Sequence, residues 1–254
     1  MKQPISINSQ WDLFYSQFPE LYDKFSHYED SRNEIFTFVK GEFDLKSKVV
    51  LDLGAGTGRF SLLLSQLAKK VYAVEPSLKM LKVLKHKIKE KRVKNIHPIN
   101  KSVENLELID NSIDVIFSSW VLSGIYNWRS GISDQELDGS KRKIESIVVD
   151  LEKSLKRKGL IIVVETAPGQ YGGELQSAIM GSSKDFSGNF TGWFAERFDF
   201  KIIEKNTVFD FGSVDEAARI FEFVYGKNIG KHILEKGIKT IKTGVRIMIK
   251  EVEK

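Results

Sequence analysis

The chain has 254 residues, 41% apolar and 29% charged, enough to bury most of the apolar surface of one large globular domain, which excludes intrinsic disorder. Its 39 basic and 34 acidic residues leave a net charge of +5, and the absence of cysteine excludes disulfide frameworks, thiolate metal sites and cysteine nucleophiles. The basic excess is 30 Lys against 9 Arg, the pattern of a solvated lysine coat rather than of bidentate phosphate or base recognition, so nucleic acid is disfavoured as a partner.

From Ser9 to Gly41, Trp11, Phe14, Tyr15, Phe18, Leu21, Tyr22, Phe25, Ile35, Phe36 and Val39 recur at helical spacing, which predicts a helical cap over residues 1–41 divided at Pro19. Neither the first ten residues nor any later stretch holds an apolar run of signal or membrane-spanning length, and the expectation is a cytoplasmic protein without membrane contact. Val49 to Leu53 is a short apolar run stopped by glycine, the pattern of a strand buried on both faces. Helix and strand signals then alternate: Phe60 to Lys69 helical, Val71 to Val74 extended, Ser77 to Lys91 helical, Asn95 to Asn100 and Ile113 to Ser118 extended, Arg142 to Lys156 helical, Leu160 to Val164 extended. This alternation predicts an α/β, doubly wound, Rossmann-like and mostly parallel sheet over residues 42–254. A Gly- and Ser-rich stretch over residues 168–200 reads as a lid-like insertion. Strand patterns over Phe200 to Phe211 and Gly244 to Val252, around a helix over Val214 to Tyr225, bring the strands to seven, the last expected to run antiparallel.

The chemistry concentrates where the first strand turns into its helix, the place where open α/β sheets bind ligands. Gly54, Gly56 and Gly58 there give G-x-G-x-G, whereas a dinucleotide turn wants its third glycine at the position held by Arg59, and no Gly-Lys-Ser/Thr follows for a phosphate loop. Glu75, about twenty residues on at the tip of the second strand, stands where a carboxylate accepts two ribose hydroxyls. The bland alternative is a carboxylate serving the helix that follows Pro76 and Ser77.

With these stretches the chain resembles the class I S-adenosylmethionine-dependent methyltransferases, more narrowly the small-molecule, methyltransferase type 11-like group. Val49 to Phe60 is similar to the family's first motif, Val71 to Ser77 to its acidic second-strand motif, Ser102 to Leu106 and Asp110 to Ile116 to its adenine-side and fourth-strand segments, and Lys156 to Ile161 to its turn into strand five. The resemblance implies S-adenosylmethionine as cofactor, held by Asp52, Gly54, Ala55, Gly56, Gly58, Glu75, Pro76, Ser102, Val103, Glu104 and Ser118, with Tyr22 and Tyr28 reaching in from the cap. Ser102 stands where the family often has Asp, so an adenine contact would pass to Glu104 or main chain.

Methyl transfer from a sulfonium is an in-line displacement that needs orientation and dryness more than acid–base chemistry. None of His27, His86, His97 and His232 stands convincingly at a strand end, and no metal is implied. The acceptor is expected above strands four and five, with Trp120 and Glu165 as catalytic candidates and Trp128, Tyr126 and Arg129 as an aromatic wall carrying one cation. The function so read is methyl transfer to a small-molecule acceptor. The alternatives are an RNA-directed methyltransferase and a non-catalytic nucleotide-binding module on the same fold.

Overall fold

A computed structural model describes residues 7–126, 133–170, 172–180 and 187–253. The chain opens with three helices, α1 (Ile7–Gln17), α2 (Pro19–Glu29) and α3 (Glu34–Glu42). Pro19 is the first residue of α2, where its missing N–H is no loss. A sheet with intervening helices follows: β1 (Val49–Leu53), α4 (Arg59–Leu64), β2 (Lys70–Val74), α5 (Leu78–Glu90), β3 (Ile96–Ile99), β4 (Ile113–Ser119), α6 (Leu122–Ile125), α7 (Asp134–Ser154) and β5 (Leu155–Thr166). The last part holds α8 (Gln176–Met180), α9 (Ser187–Phe198), β6 (Lys201–Asp210), α10 (Val214–Tyr225), α11 (Lys227–Lys236) and β7 (Thr240–Val252).

The seven strands lie in the order β3-β2-β1-β4-β5-β7-β6. The first five are parallel, and β7 inserts antiparallel between β5 and β6. β1 is central, so its alternate side chains feed two cores: Leu51 and Leu53 on one face, Val50 on the other. That is why the strand is apolar without alternation. Pro98 is tolerated in β3 because β3 is an edge strand. A third, aromatic core joins the N-terminal helices to α10, with Phe14, Phe25, Phe209, Phe211 and Phe221 buried together.

Three boundaries differ from the sequence expectation. α7 starts at Asp134 rather than Arg142, because Ser133 and Glu136 form a reciprocal capping box. β5 starts at Leu155, inside the expected helix: Leu155 pairs with Ile113, and the register then shifts so that Leu160 pairs with Val115. In the stretch expected to be a lid, α9 buries Phe190 and Phe194 in the sheet's core, the place of the helix after strand five in a doubly wound sheet, while residues 171 and 181–186 lie outside the described residues. Among the described residues no helix is long and apolar enough to cross a membrane.

Candidate functional site

The turn after β1 is built on left-handed backbone at Gly54 (φ +68°), Gly56 (φ +54°) and Gly58 (φ +89°). Two of these glycines are required by their neighbours as well as by φ. A Cβ on Gly54 would lie 2.1 Å from Val121 Cγ2, and one on Gly58 2.2 Å from Leu84 Cδ1. At Gly56 the nearest atom to such a Cβ is Tyr22 Cε1 at 3.4 Å, so bare main chain here faces the cap's tyrosine.

Glu75 ties this turn to the next strand. One carboxylate oxygen accepts from the Gly56 N–H at 3.0 Å and the other from the Ser77 N–H at 2.8 Å. Burial raises its pKa and these two backbone hydrogen bonds oppose the rise. The two readings of Glu75 therefore coexist: it serves the backbone before α5, and each oxygen keeps a lone pair for a ligand. Pro76 and the tip of β2 are fixed by Asn100, whose side-chain amide donates to the Glu75 and Pro76 carbonyls at 3.0 and 2.7 Å.

Asp52 is buried beneath the turn, where the Ser61 hydroxyl and N–H donate to it. Burial pushes its carboxyl up to about 7. The unfolded carboxyl ionises near about 4, so between those values the folded state holds a proton that the unfolded chain has released. Stability carried by this group is present below that window and is lost as pH rises through it. Urea titrations of wild type and D52N are expected to diverge there, the wild type losing up to about 1.4 kcal/mol more per pH unit; parallel curves would show that Asp52 stays ionised.

Of the adenine-side residues, Val103 packs against the core, the Ser102 hydroxyl accepts from the Asn105 amide at 3.0 Å, and Glu104 pairs with Lys143 at 2.8 Å. Ser118, near the end of β4 and paired in register with Leu53 and Val163, is 1% exposed, and its hydroxyl has no hydrogen-bond partner among the described residues. A buried hydroxyl left unpaired costs free energy unless a ligand completes it. Bare backbone, a carboxylate with spare acceptor capacity and an orphaned hydroxyl, all at the carboxyl ends of β1, β2 and β4, form a donor and acceptor set that fits an adenosyl amino acid.

Above β4 and β5 the catalytic candidates are engaged structurally. Trp120 has φ +54°, an uncommon conformation for a bulky residue, and its indole N–H donates to Thr166 Oγ1 at 3.2 Å. Both Glu165 oxygens accept from Ser123, from its N–H at 3.1 Å and its hydroxyl at 2.6 Å, so the carboxyl anchors the turn into α6. Burial pushes Glu165 up to about 7 against those hydrogen bonds. Tyr126 is buried against Phe190 and Trp193. Trp128 and Arg129 of the expected wall lie outside the described residues.

Tyr22 lies at the turn and Tyr28 does not: the Tyr28 hydroxyl donates to Glu216 at 3.5 Å and its ring meets Phe211, at the α10 side of the cap. What locks the cap to the turn is a set of residues that sequence reading passed over. Asp23 accepts from the Thr57 hydroxyl at 2.6 Å and from Lys87. Arg59 donates to the Ser26 and Asp30 carbonyls and faces the Asp30 carboxylate at 3.3 Å. The one sequence signal for this was Arg59 standing where a dinucleotide turn has glycine; its partners are about thirty residues upstream, beyond any local pattern. Among the described residues no group of three potential metal ligands occurs.

Residues 51–135 match a family described as "Methyltransferase domain". Protein arginine N-methyltransferase 6 of Danio rerio is 34% identical over 127 residues, 48% of this chain and 32% of that protein. Probable S-adenosylmethionine-dependent methyltransferase CRG1 of Saccharomyces cerevisiae is 34% identical over 89 residues, 34% of this chain and 29% of that protein. The match thus spans about a third of the length of these relatives. In fold, the chain is similar to the YcgJ protein of Bacillus subtilis, with TM-score 0.57 and 17% identity over 86% of this chain and 97% of that one. It is also similar to the [4+2]-cyclase SpnF, with TM-score 0.54 and 14% identity over 86% and 80% of the two chains. These two likenesses establish the fold alone.

Proposed function

We propose that the chain is a class I S-adenosylmethionine-dependent methyltransferase that moves the methyl group of S-adenosylmethionine to a small-molecule acceptor above β4 and β5. The observation that carries the reading is the Glu75 carboxylate fixed beside the left-handed Gly56 main chain by their mutual hydrogen bond. In this reading the spare acceptor capacity of Glu75 takes the ribose hydroxyls. The main chain from Gly54 to Gly58 receives the amino acid end of the donor, above Asp52. Ser118 completes its hydroxyl on the same ligand, and Ser102, Val103 and Glu104 flank the adenine. S-adenosylmethionine supplies a methyl group already activated by its positive sulfur, so the protein's part is to hold the acceptor in line and keep water out. Trp120 and Glu165 act by shaping the acceptor side: Trp120 walls it, and Glu165 fixes the α6 turn that borders it.

A small acceptor is favoured because Tyr22 of α2 lies against the main chain at Gly56, so the cap covers part of the turn. Calorimetric titration with S-adenosylmethionine and its demethylated product, followed by a labelled-methyl screen over metabolites and over RNA, tests the reading. Micromolar binding of both with transfer to metabolites supports it. Binding without transfer to any pool would leave a non-catalytic nucleotide-binding module, and transfer confined to RNA would overturn the small-molecule assignment.

A further inference from the structure

The charge of the chain is unevenly placed. Residues 78–94, which are α5 and its exit, hold seven Lys and Arg92 against the single acid Glu90. That is a net charge of +7 in a chain whose total is +5, so the remainder is net negative. Lys87 pairs with Asp23, and Lys79 donates to Gln17 at 2.7 Å. Lys82, Lys85, Lys89, Lys91, Arg92 and Lys94 are exposed and make no ion pair among the described residues. A solvated helix face ordinarily mixes the two signs, whereas Lys82, Lys85 and Lys89, three and four residues apart, repel one another. The first turn of α5 also lacks an acid and carries Lys79, where the helix dipole disfavours a cation.

Met80, Leu81 and Leu84 turn one side of α5 into the core. On the helix, Leu78, Lys82, Lys85 and Lys89 fall in a single stripe about 60° wide, clear of that side. Leu78, at the head of the stripe, is 68% exposed. Lys79, next to Leu78, holds Gln17, next to Phe18, so a second exposed apolar side chain stands at the same end. An apolar tip leading into an uncompensated cationic stripe suits an anionic bilayer: headgroup phosphates and carboxylates meet the lysines, and the tip enters the boundary with the acyl chains. Nucleic acid fits this face less well. The stripe has Lys where bidentate phosphate recognition takes Arg, and it offers no aromatic ring for a base to stack on.

We propose that the exposed face of α5 docks the chain peripherally on membranes rich in anionic lipid, with Leu78 at the interface. The sequence expectation of no membrane contact concerns spanning segments, and a peripheral face needs none. Because α5 begins directly after Glu75, Pro76 and Ser77, docking brings the tip of β2, and the glycine turn that Glu75 holds, to the bilayer surface. Docking of this kind is independent of methyl transfer.

The test is cosedimentation of the full chain with vesicles of phosphatidylcholine alone and with about 30% phosphatidylserine added, over a range of salt. Binding to the anionic vesicles is expected to be tighter by about tenfold or more and to weaken as salt rises. The variant K82Q/K85Q/K89Q should bind about a hundredfold more weakly, from about fivefold per lysine. L78S should bind about tenfold more weakly. All four positions are exposed, and an unchanged thermal midpoint verifies the fold. K153Q/R157Q/K158Q loses the same charge at the junction of α7 and β5 and should stay within about twofold of wild type. Equal binding to both kinds of vesicle, equal loss in the two triple variants, or L78S within about twofold of wild type overturns the proposal. A single-stranded RNA oligonucleotide bound through the same lysines, with anionic vesicles left unbound, overturns it as well and makes nucleic acid the partner.

Discussion

Replacing Arg59 by alanine is expected to destabilise the fold by about 3–5 kcal/mol, the cost of leaving a buried charge without its partner. The Arg59 side chain is 6% exposed and that of Asp30 0% exposed, so neither charge can turn to water when the other is removed. The guanidinium also satisfies the Ser26 and Asp30 carbonyls at the end of α2, and Asp30 in turn caps α3 through the Glu34 and Ile35 N–H groups. One substitution therefore loosens two helices. Thermal unfolding should show the midpoint falling by about 10 °C, at about 2–4 °C per kcal/mol for a chain of this size. Lysine should not rescue it, since a single ammonium cannot replace the fork that reaches two carbonyls and a carboxylate. In a double-mutant cycle with Asp30→Asn, R59A and D30N should be strongly non-additive. A fall of less than about 1 kcal/mol for R59A would mean that the cap is held by its aromatic core alone.

Glu75→Ala is expected to weaken S-adenosylmethionine binding about a hundredfold, from the loss of two hydrogen bonds to charge at about 1.5 kcal/mol or more each. The alanine also releases the Gly56 and Ser77 N–H groups that the carboxylate now holds. Glu75→Gln should rescue little: both oxygens face N–H donors, so the amide would have to set its own NH₂ against one of them. Calorimetry on variants whose thermal midpoint is followed in parallel separates lost ligand contacts from a collapsed turn. A well-folded E75A with wild-type affinity would show that the carboxylate serves only the backbone before α5.

The order of consequences differs between the two residues. Glu75 sits at the turn after β1, and its loss is expected to be felt first as affinity. Arg59 sits under the end of α2, and its loss is expected to be felt first as stability, then as a mispositioned α2 carrying Tyr22 away from Gly56.

By itself the sequence determined the parts whose physics is local. The apolar run of β1 could only be a strand covered on both faces, the G-x-G-x-G spacing could only make a turn of left-handed backbone, and Glu75 had to stand at the tip of the neighbouring strand because strand and helix lengths are bounded. The helix starting at Asp134 was also written there, in Ser133 and Glu136. Only the tertiary structure decided which long-range partners each polar group found. Arg59 reaches a helix end about thirty residues upstream, Glu165 folds under Ser123 instead of standing free, and Tyr28 faces Glu216 while Tyr22 faces Gly56. Hydrogen bonds and buried charges are satisfied by whatever the packed chain brings within about 3 Å, and the spacing along the sequence carries no record of that encounter.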